Sequence, residues 1–112
     1  MPIVIKLHES YKQWHGFLGA LPRLTRYTLG VKIDNLFTES LELALLAGYA
    51  ARPKKPDIID RLSSKIDCLK FFLKVLWELK GIDTKKYTAL SRTLEEIGKM
   101  VGGWMKSIRN VS

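Results

Sequence analysis

The sequence predicts an all-α protein that folds as an antiparallel, up-down-up-down bundle of four helices. Apolar residues recur with alternating steps of three and four in each of four long segments, which is the period of a helix. No segment alternates with the period of two that a strand would show. Pro22, Pro53, Pro56 and Gly81 mark the boundaries between the segments, so short connections should place consecutive helices side by side in opposite directions. The 112 residues are enough for one domain, 1–112.

The first two predicted helices span approximately residues 3–20 and 23–51. Their apolar stripes comprise Leu7, Tyr11, Trp14, Leu18 and Leu21 in the first helix, and Leu29, Ile33, Leu36, Ser40, Leu43, Ala47 and Ala50 in the second. Pro22 suits the opening turn of the second helix, because a first-turn N–H has no helical partner to lose. Gly30 is a poor helix former, which leaves the true start of this helix open.

The third and fourth predicted helices span approximately residues 56–80 and 84–109. Their stripes comprise Leu62, Ile66, Leu69, Leu73 and Leu76, then Tyr87, Leu90, Leu94, Ile97, Val101, Trp104 and Ile108. Pro56 suits a first helical turn, and Asp57 lies near the positive end of the helix dipole. Gly81 suits the end of the third helix, and either Asp83 or Thr84 can cap the fourth.

A second apolar stripe on the two middle helices predicts self-association. At 100° per residue its members point away from the first stripe, and a single layer of four helices offers nothing to cover them. The predicted subunit-contact residues are Phe71, Val75, Phe37, Leu41 and Leu45. The alternative is that these are scattered surface residues, which are common in monomeric proteins.

Three glycines close together in the fourth helix predict a close helix–helix contact. Gly98 and Gly102 are four residues apart and share one face, and Gly103 follows. Each glycine disfavours a helix by about 1 kcal/mol relative to alanine, so a packing reason is expected for Gly98, Gly102, Gly103 and the neighbouring Trp104. The alternative is that the glycines are merely tolerated.

The net charge of +8, from 19 Lys and Arg against 11 Asp and Glu, predicts a polyanionic partner, with nucleic acid ahead of a membrane. In an up-down bundle one end carries Arg23, Arg26, Lys80, Lys85 and Lys86, and the other carries Lys6, Arg52, Lys54, Lys55, Lys106 and Arg109. Lys70 and Lys74 form a further basic strip on the third helix. Separate basic areas suit phosphate contacts, which carry no sequence information. For any single lysine, a solubilising role is the alternative.

No motif in the chain indicates an enzyme, a cofactor, a metal site or a small-molecule substrate. His8 and His15 lack a third ligand at metal spacing, and Cys68 has no histidine nearby in sequence. Phosphate-binding glycine loops and zinc-protease motifs are missing. A small metal-dependent enzyme therefore has no ligand set to support it.

Cysteine usage and the apolar runs predict a cytoplasmic protein without a membrane segment. A single cysteine fits a reducing compartment. The longest apolar run, Leu43 to Ala51, has nine residues, whereas a membrane-spanning helix needs about 20. The first residues lack the pattern of a signal peptide.

Several stretches resemble the accessory variability determinant (Avd) family of diversity-generating retroelements. Leu69–Lys74 has a basic–aromatic–aromatic–leucine–basic order, Tyr87 follows, and Leu94–Lys106 contains Glu-Ile-Gly-x-x-x-Gly-Gly-Trp. Pro22–Gly30 fits as well, so the resemblance covers nearly the whole chain. The Avd family belongs with the wider four-helix-bundle proteins that include the 23S ribosomal RNA intervening-sequence proteins.

The resemblance implies a basic barrel of five identical four-helix bundles without catalytic activity. Such a protein binds a reverse transcriptase and the template RNA or complementary DNA, and supports mutagenic retrohoming. The basic pair of the family's third helix corresponds to Lys70 and Lys74. The alternative within this resemblance is a structural oligomer of the intervening-sequence type, with no direct role in a retroelement.

Overall fold

The computed structural model describes residues 1–111, with only the backbone of Val111. The elements are α1 (Pro2–Leu18), α2 (Arg23–Tyr27), α3 (Leu29–Tyr49), a 3₁₀ turn (Arg52–Lys54), α4 (Lys55–Glu78) and α5 (Thr84–Val111). No strand occurs in this range. The predicted all-helical class is therefore confirmed, with four long helices joined by short connections.

The four long helices enclose one elongated core. α1 and α4 each pack against both α3 and α5, so the helices surround a common interior. The molecule measures 47 × 21 × 19 Å, close to one long helix in length and two helices in each other direction. The stripe predicted for the third helix is entirely buried at Leu62, Ile66, Leu69, Leu73 and Leu76. Burying each such side chain contributes about 1.5–3 kcal/mol.

The second predicted helix is divided into α2 and α3 at Thr28. The backbone of Thr28 leaves the helical region, with φ −114° and ψ −88°. Gly30 is buried where α2 folds back on the start of α3, and a Cβ there would be 3.4 Å from both Leu21 Cδ1 and the Thr25 carbonyl oxygen. Gly30 therefore lies at a close approach of the two elements, where an added Cβ would be in van der Waals contact with its neighbours.

The connection between α4 and α5 is a tight turn with a residue in the left-handed region. Lys80 has φ 62°, and its N–H bonds to the Trp77 carbonyl at 2.9 Å, while the Gly81 N–H bonds to the Leu76 carbonyl at 2.9 Å. This pair of bonds is the Schellman arrangement that ends many helices. A Cβ on Gly81 would overlap Leu76 Cδ1, so Gly81 is required for space. The Asp83 side chain then caps α5 by accepting a 2.8 Å bond from the Lys86 backbone N–H.

Candidate nucleic-acid and subunit interfaces

One end of the molecule, here called the linker end, gathers five of the predicted basic residues. Met1 lies against Gly48, so α1 begins beside the end of α3. A cleft between the start of α4 and the end of α5 is lined by both Lys106 and Arg109. The linker end thus carries Arg52, Lys54, Lys55, Lys106 and Arg109, of which all but Lys55 are exposed.

Lys55 is directed toward the backbone rather than toward solvent. Its Nζ donates hydrogen bonds to the carbonyl oxygens of Ala47 at 3.0 Å and Gly48 at 3.4 Å. These carbonyls belong to the last turn of α3, which has no further helical N–H to satisfy them. Lys55 therefore acts as a helix cap, and the phosphate contact expected of it stays a prediction that would compete with these two bonds.

The opposite end, here called the turn end, carries Arg23, Arg26, Lys80, Lys85 and Lys86. Arg26 Nη2 donates to the carbonyl oxygens of Gly19 and Leu21, each at 3.1 Å, and so fixes the chain that leaves α1. Lys86 Nζ lies 5.3 Å from the centre of the Phe17 ring. Arg23 and Lys85 are exposed. Two cations of this end are thus engaged within the protein, and Arg26 in particular is a structural residue.

The basic strip on α4 is partly neutralised by neighbouring carboxylates. Lys70 Nζ lies 3.2 Å from Glu95 Oε1 on α5 and 3.7 Å from Asp67 Oδ1, and 28% of its side chain is exposed. Lys74 is exposed and has no ion pair within residues 1–111. Of the predicted pair, Lys74 is therefore the side chain with charge available to an anion.

Contacts between helices shift the pKa values of two side chains. A 2.6 Å hydrogen bond from Lys6 on α1 lowers the pKa of the exposed Glu96 on α5. Burial raises the pKa of Tyr11, and interaction with Asp34 raises it further. Asp34 also accepts a 3.2 Å bond from Trp14 Nε1. Both sets of contacts join helices, and neither resembles a catalytic arrangement.

The predicted subunit-contact residues divide into buried and exposed groups. Phe71 is 60% exposed and Leu45 is 45% exposed, whereas Leu41 and Val75 are half-buried. Phe37 is fully buried, with Trp14 stacked on it at 6.1 Å, so the prediction that Phe37 contacts another subunit is wrong. The physical reason is that α1 packs on the side of α3 that carries Phe37.

The glycines of α5 make no close helix contact within the described chain. A Cβ on Gly102 or Gly103 would have no neighbour within 4 Å, and one on Gly98 would meet Lys70 Nζ at 3.7 Å. Trp104 is half-buried and packs against the core. The expected close approach of another helix backbone is not made at Gly102 or Gly103 within the described chain, and it stays a prediction.

Two surface features were not predicted from the sequence. A small apolar groove of about 280 Å³ lies where α1 begins and α3 ends, and is lined by Met1, Val4, Ile5, Leu45, Gly48 and Tyr49. A larger open cleft lies at the turn end, and Phe17, Trp77 and Lys80 are among its lining residues. Helical periodicity marks which face of a helix is apolar, but the cleft is formed by residues from helix ends and a turn, where no periodic signal exists.

Comparison with known families identifies the family of the chain. The family described as bAvd-like matches residues 1–108. The chain belongs to the bAvd-like family. This match confirms the resemblance to the Avd proteins that was drawn from Leu69–Lys74 and Leu94–Lys106. No curated protein matches this bAvd-like chain.

The described residues offer neither a membrane-spanning helix nor a metal site. Over residues 1–111, none of the helices combines the length and hydropathy needed to span a bilayer. In the same range, no three His, Cys, Asp or Glu side chains come together at a geometry that would hold a metal ion.

Proposed function

We propose that the protein is a non-catalytic, cytoplasmic accessory factor that binds nucleic acid and partners a reverse transcriptase in a diversity-generating retroelement. The nucleic acids that it binds would be the template RNA and the complementary DNA of mutagenic retrohoming. Membership of the bAvd-like family supports this role. The observation that carries the nucleic-acid claim is the presence of exposed cations at both ends of a chain with a net charge of +8.

The finer architecture in this proposal is a single domain, 1–112, with an up-down-up-down order of the four long helices. Contacts between helices support it. Trp14, near the end of α1, bonds to Asp34, near the start of α3. The ring centre of Phe17, near the end of α1, lies 5.3 Å from the Nζ atom of Lys86, near the start of α5. Such pairings join opposite halves of neighbouring helices, as an alternating order requires.

The proposal includes a homo-oligomer, and the family resemblance favours a pentamer. Exposed Phe71 and Leu45 are apolar side chains that a second subunit would remove from water. Five copies would carry five times the charge of +8, which suits a long polyanion better than a small anion.

The oligomer is tested by light scattering on the purified protein and on the Phe71→Asp variant. We expect an oligomer for the natural chain and a smaller species for the variant, because a carboxylate cannot be buried unpaired in a subunit contact. Phe71→Asp should keep its helical circular dichroism, since Phe71 lies outside the core. If light scattering shows that the natural chain is a monomer, the proposed oligomer is wrong.

Nucleic-acid binding is tested by gel shift with RNA and with DNA at low salt. Phosphate contacts predict binding to both, with little sequence preference and a steep loss of affinity as salt rises. Absence of a shift with either nucleic acid at low salt would contradict the proposal. The partnership is tested by co-purification of a tagged copy with a reverse transcriptase encoded beside its gene.

A second candidate function is a structural oligomer of the intervening-sequence type, with no direct retroelement role. One observation favours it: Arg26, Lys55 and Lys70 are engaged inside the protein, which leaves fewer cations for phosphates. This alternative predicts the same oligomer without nucleic-acid affinity, so the gel shift separates the two. The genomic neighbourhood separates them independently.

A further inference from the structure

The turn end contains an open cleft of about 840 Å³, here called the turn cleft. It lies between the end of α1 and the connection from α4 to α5. Its lining comprises Phe17, Ala20, Trp77, Glu78, Lys80, Gly81, Ile82, Asp83, Thr84 and Lys86. The cleft therefore combines aromatic rings with ammonium groups and carboxylates.

The aromatic part of the turn cleft is held rigidly. The Trp77 indole stacks on Tyr87 with ring centres 4.8 Å apart and planes at 8°, and its Nε1 donates a 3.1 Å bond to Thr84 Oγ1. Tyr87 does not line the cleft, so the part of the indole that borders the cleft lies away from Tyr87. Trp77 and Phe17 are both half-buried. A ligand would therefore meet aromatic surface that needs little ordering on binding.

The charged part of the turn cleft includes two lysines and two carboxylates. Lys86 Nζ lies 5.3 Å from the Phe17 ring centre, and Lys80 is exposed on the turn. Asp83 already accepts a bond from the Lys86 backbone N–H, whereas the exposed Glu78 has no hydrogen bond or ion pair in the described chain. The lysines can thus contact an anion at the cleft, against the opposing charges of Glu78 and Asp83.

Lys80 occupies a position where glycine is the usual residue. Its φ of 62° lies in the left-handed region, which side chains with a Cβ rarely adopt. Backbone strain of this kind tends to persist at sites with a function. Lysine at this turn brings an ammonium group to the cleft that a glycine would not supply.

We propose that the turn cleft binds a base of single-stranded nucleic acid together with its phosphate. The base stacks on the aromatic surface of Trp77 and Phe17, and Lys80 and Lys86 contact the phosphate. Every base has a flat aromatic face, so this binding tolerates any sequence. A paired base inside a duplex is stacked on its neighbours and cannot enter, so the cleft selects single strands. The proposal rests on the proposed function as a nucleic-acid-binding protein.

The test compares a fluorescein-labelled oligothymidylate with a duplex of the same length, by fluorescence anisotropy. Phe17→Leu keeps an apolar side chain and removes the ring, and we expect it to bind the single strand about fivefold or more weakly. Lys80→Gly removes the ammonium, and we expect about threefold weaker binding. Both variants should bind the duplex within about twofold of the natural chain, because duplex binding uses phosphates elsewhere.

Folding controls accompany these measurements. Glycine suits the left-handed turn, so Lys80→Gly should unfold at the same or a higher temperature, and its weaker binding cannot come from unfolding. Lys12→Ala removes the same charge from the exposed middle of α1, outside the cleft, and should change the affinity for the single strand by less than Lys80→Gly does. In Trp77→Phe, quenching of tryptophan emission by the oligonucleotide should shrink markedly, since Trp77 is the indole in the cleft.

Different results overturn different claims. If the natural chain binds the single strand and Phe17→Leu and Lys80→Gly bind it equally well, the turn cleft is not the site, while the proposed function stands. An equal loss on single strand and duplex would also reject stacking in the cleft. If the natural chain binds neither oligonucleotide at low salt, the proposed function itself fails.

Discussion

The two ends of the bundle carry similar charge but hold it in different ways. At the linker end, Arg52 and Lys54 project from a short connection, and the aromatic ring nearest to them in sequence, Tyr49, lines an apolar groove that includes neither cation. At the turn end, Lys80 and Lys86 border the same cleft as Trp77. Under the proposed function, we infer from this comparison that the linker end would attract phosphates in general, while the turn end would distinguish the form of the nucleic acid.

Both ends also use one cation for the fold rather than for a ligand. Lys55 satisfies carbonyl groups at the end of α3, and Arg26 satisfies carbonyl groups beyond the end of α1. Unpaired carbonyls at helix ends are costly when they are shielded from water, so a long cationic side chain nearby is drawn to them. Net charge alone therefore overstates the number of cations that are available to a partner.

The largest expected effect is on stability at the turn end. Gly81→Ala places a Cβ onto Leu76 Cδ1 and 3.2 Å from the Leu76 carbonyl oxygen, and we expect a loss of about 1–3 kcal/mol in the free energy of unfolding. Urea unfolding measures it. Gly102→Ala is the matched control, because its Cβ enters open space in a helix and should stabilise by about 0.5–1 kcal/mol. Equal effects of the two substitutions would contradict this description of the turn.

The next effect is on nucleic-acid affinity at the linker end. The double variant Arg52→Glu with Lys54→Glu should weaken binding to single strand and duplex alike by about tenfold. The slope of log affinity against log salt concentration should fall by the amount that about two phosphate contacts contribute. Anisotropy titrations at several salt concentrations measure both. The pair Lys80→Glu with Lys86→Glu, which line the turn cleft, should instead weaken single-strand binding more than duplex binding. Identical profiles for the two double variants would remove the distinction between the ends.

A smaller effect separates two neighbouring lysines of the linker end. Lys55→Met should cost about 1 kcal/mol of stability, because the carbonyls of Ala47 and Gly48 lose a charged donor. Lys54→Met should stay within about 0.5 kcal/mol, since Lys54 is exposed. Thermal unfolding of both variants provides the measurement. A larger loss for Lys54→Met than for Lys55→Met would reverse the assignment of structural and available charge.

The smallest effect concerns the strip on α4. Lys74→Ala should weaken nucleic-acid binding about two- to threefold, whereas Lys70→Ala should change it less, because Glu95 and Asp67 already offset the Lys70 charge. Gel shifts on the two single variants decide it. A stronger effect from Lys70 would mean that the ion pairs open when the ligand binds.

The core of the bundle could be predicted because it depends on local periodicity. Leu62, Ile66 and Leu69 recur at helical spacing and are all buried. The Asp83 cap was also predictable, as one of two candidates, since capping depends on residues within one turn. Both signals lie inside a short window of sequence.

The features that were not predicted have a common physical origin in contacts between distant segments. Phe37 is covered by Trp14 of α1, and nothing within α3 reveals which side α1 occupies. Lys55 and Arg26 are directed at carbonyls whose position depends on how helices end in space. The left-handed residue of the turn is Lys80 and not the neighbouring Gly81. Gly81 is instead needed for its small size, because a Cβ there would overlap Leu76. The turn cleft, which combines α1 with the α4–α5 connection, exists only once the bundle is formed.

The central claim, that the exposed charge of the two ends serves nucleic-acid binding, is tested most directly by the salt dependence of binding. The measurement is the affinity of the natural chain for single-stranded RNA, by anisotropy, between about 50 and 200 mM salt. We expect clear binding at the lower concentration and a loss of roughly 300-fold at the higher one, as about six phosphate contacts to a single strand require. No binding at about 50 mM, or an affinity that does not change with salt, would contradict the claim.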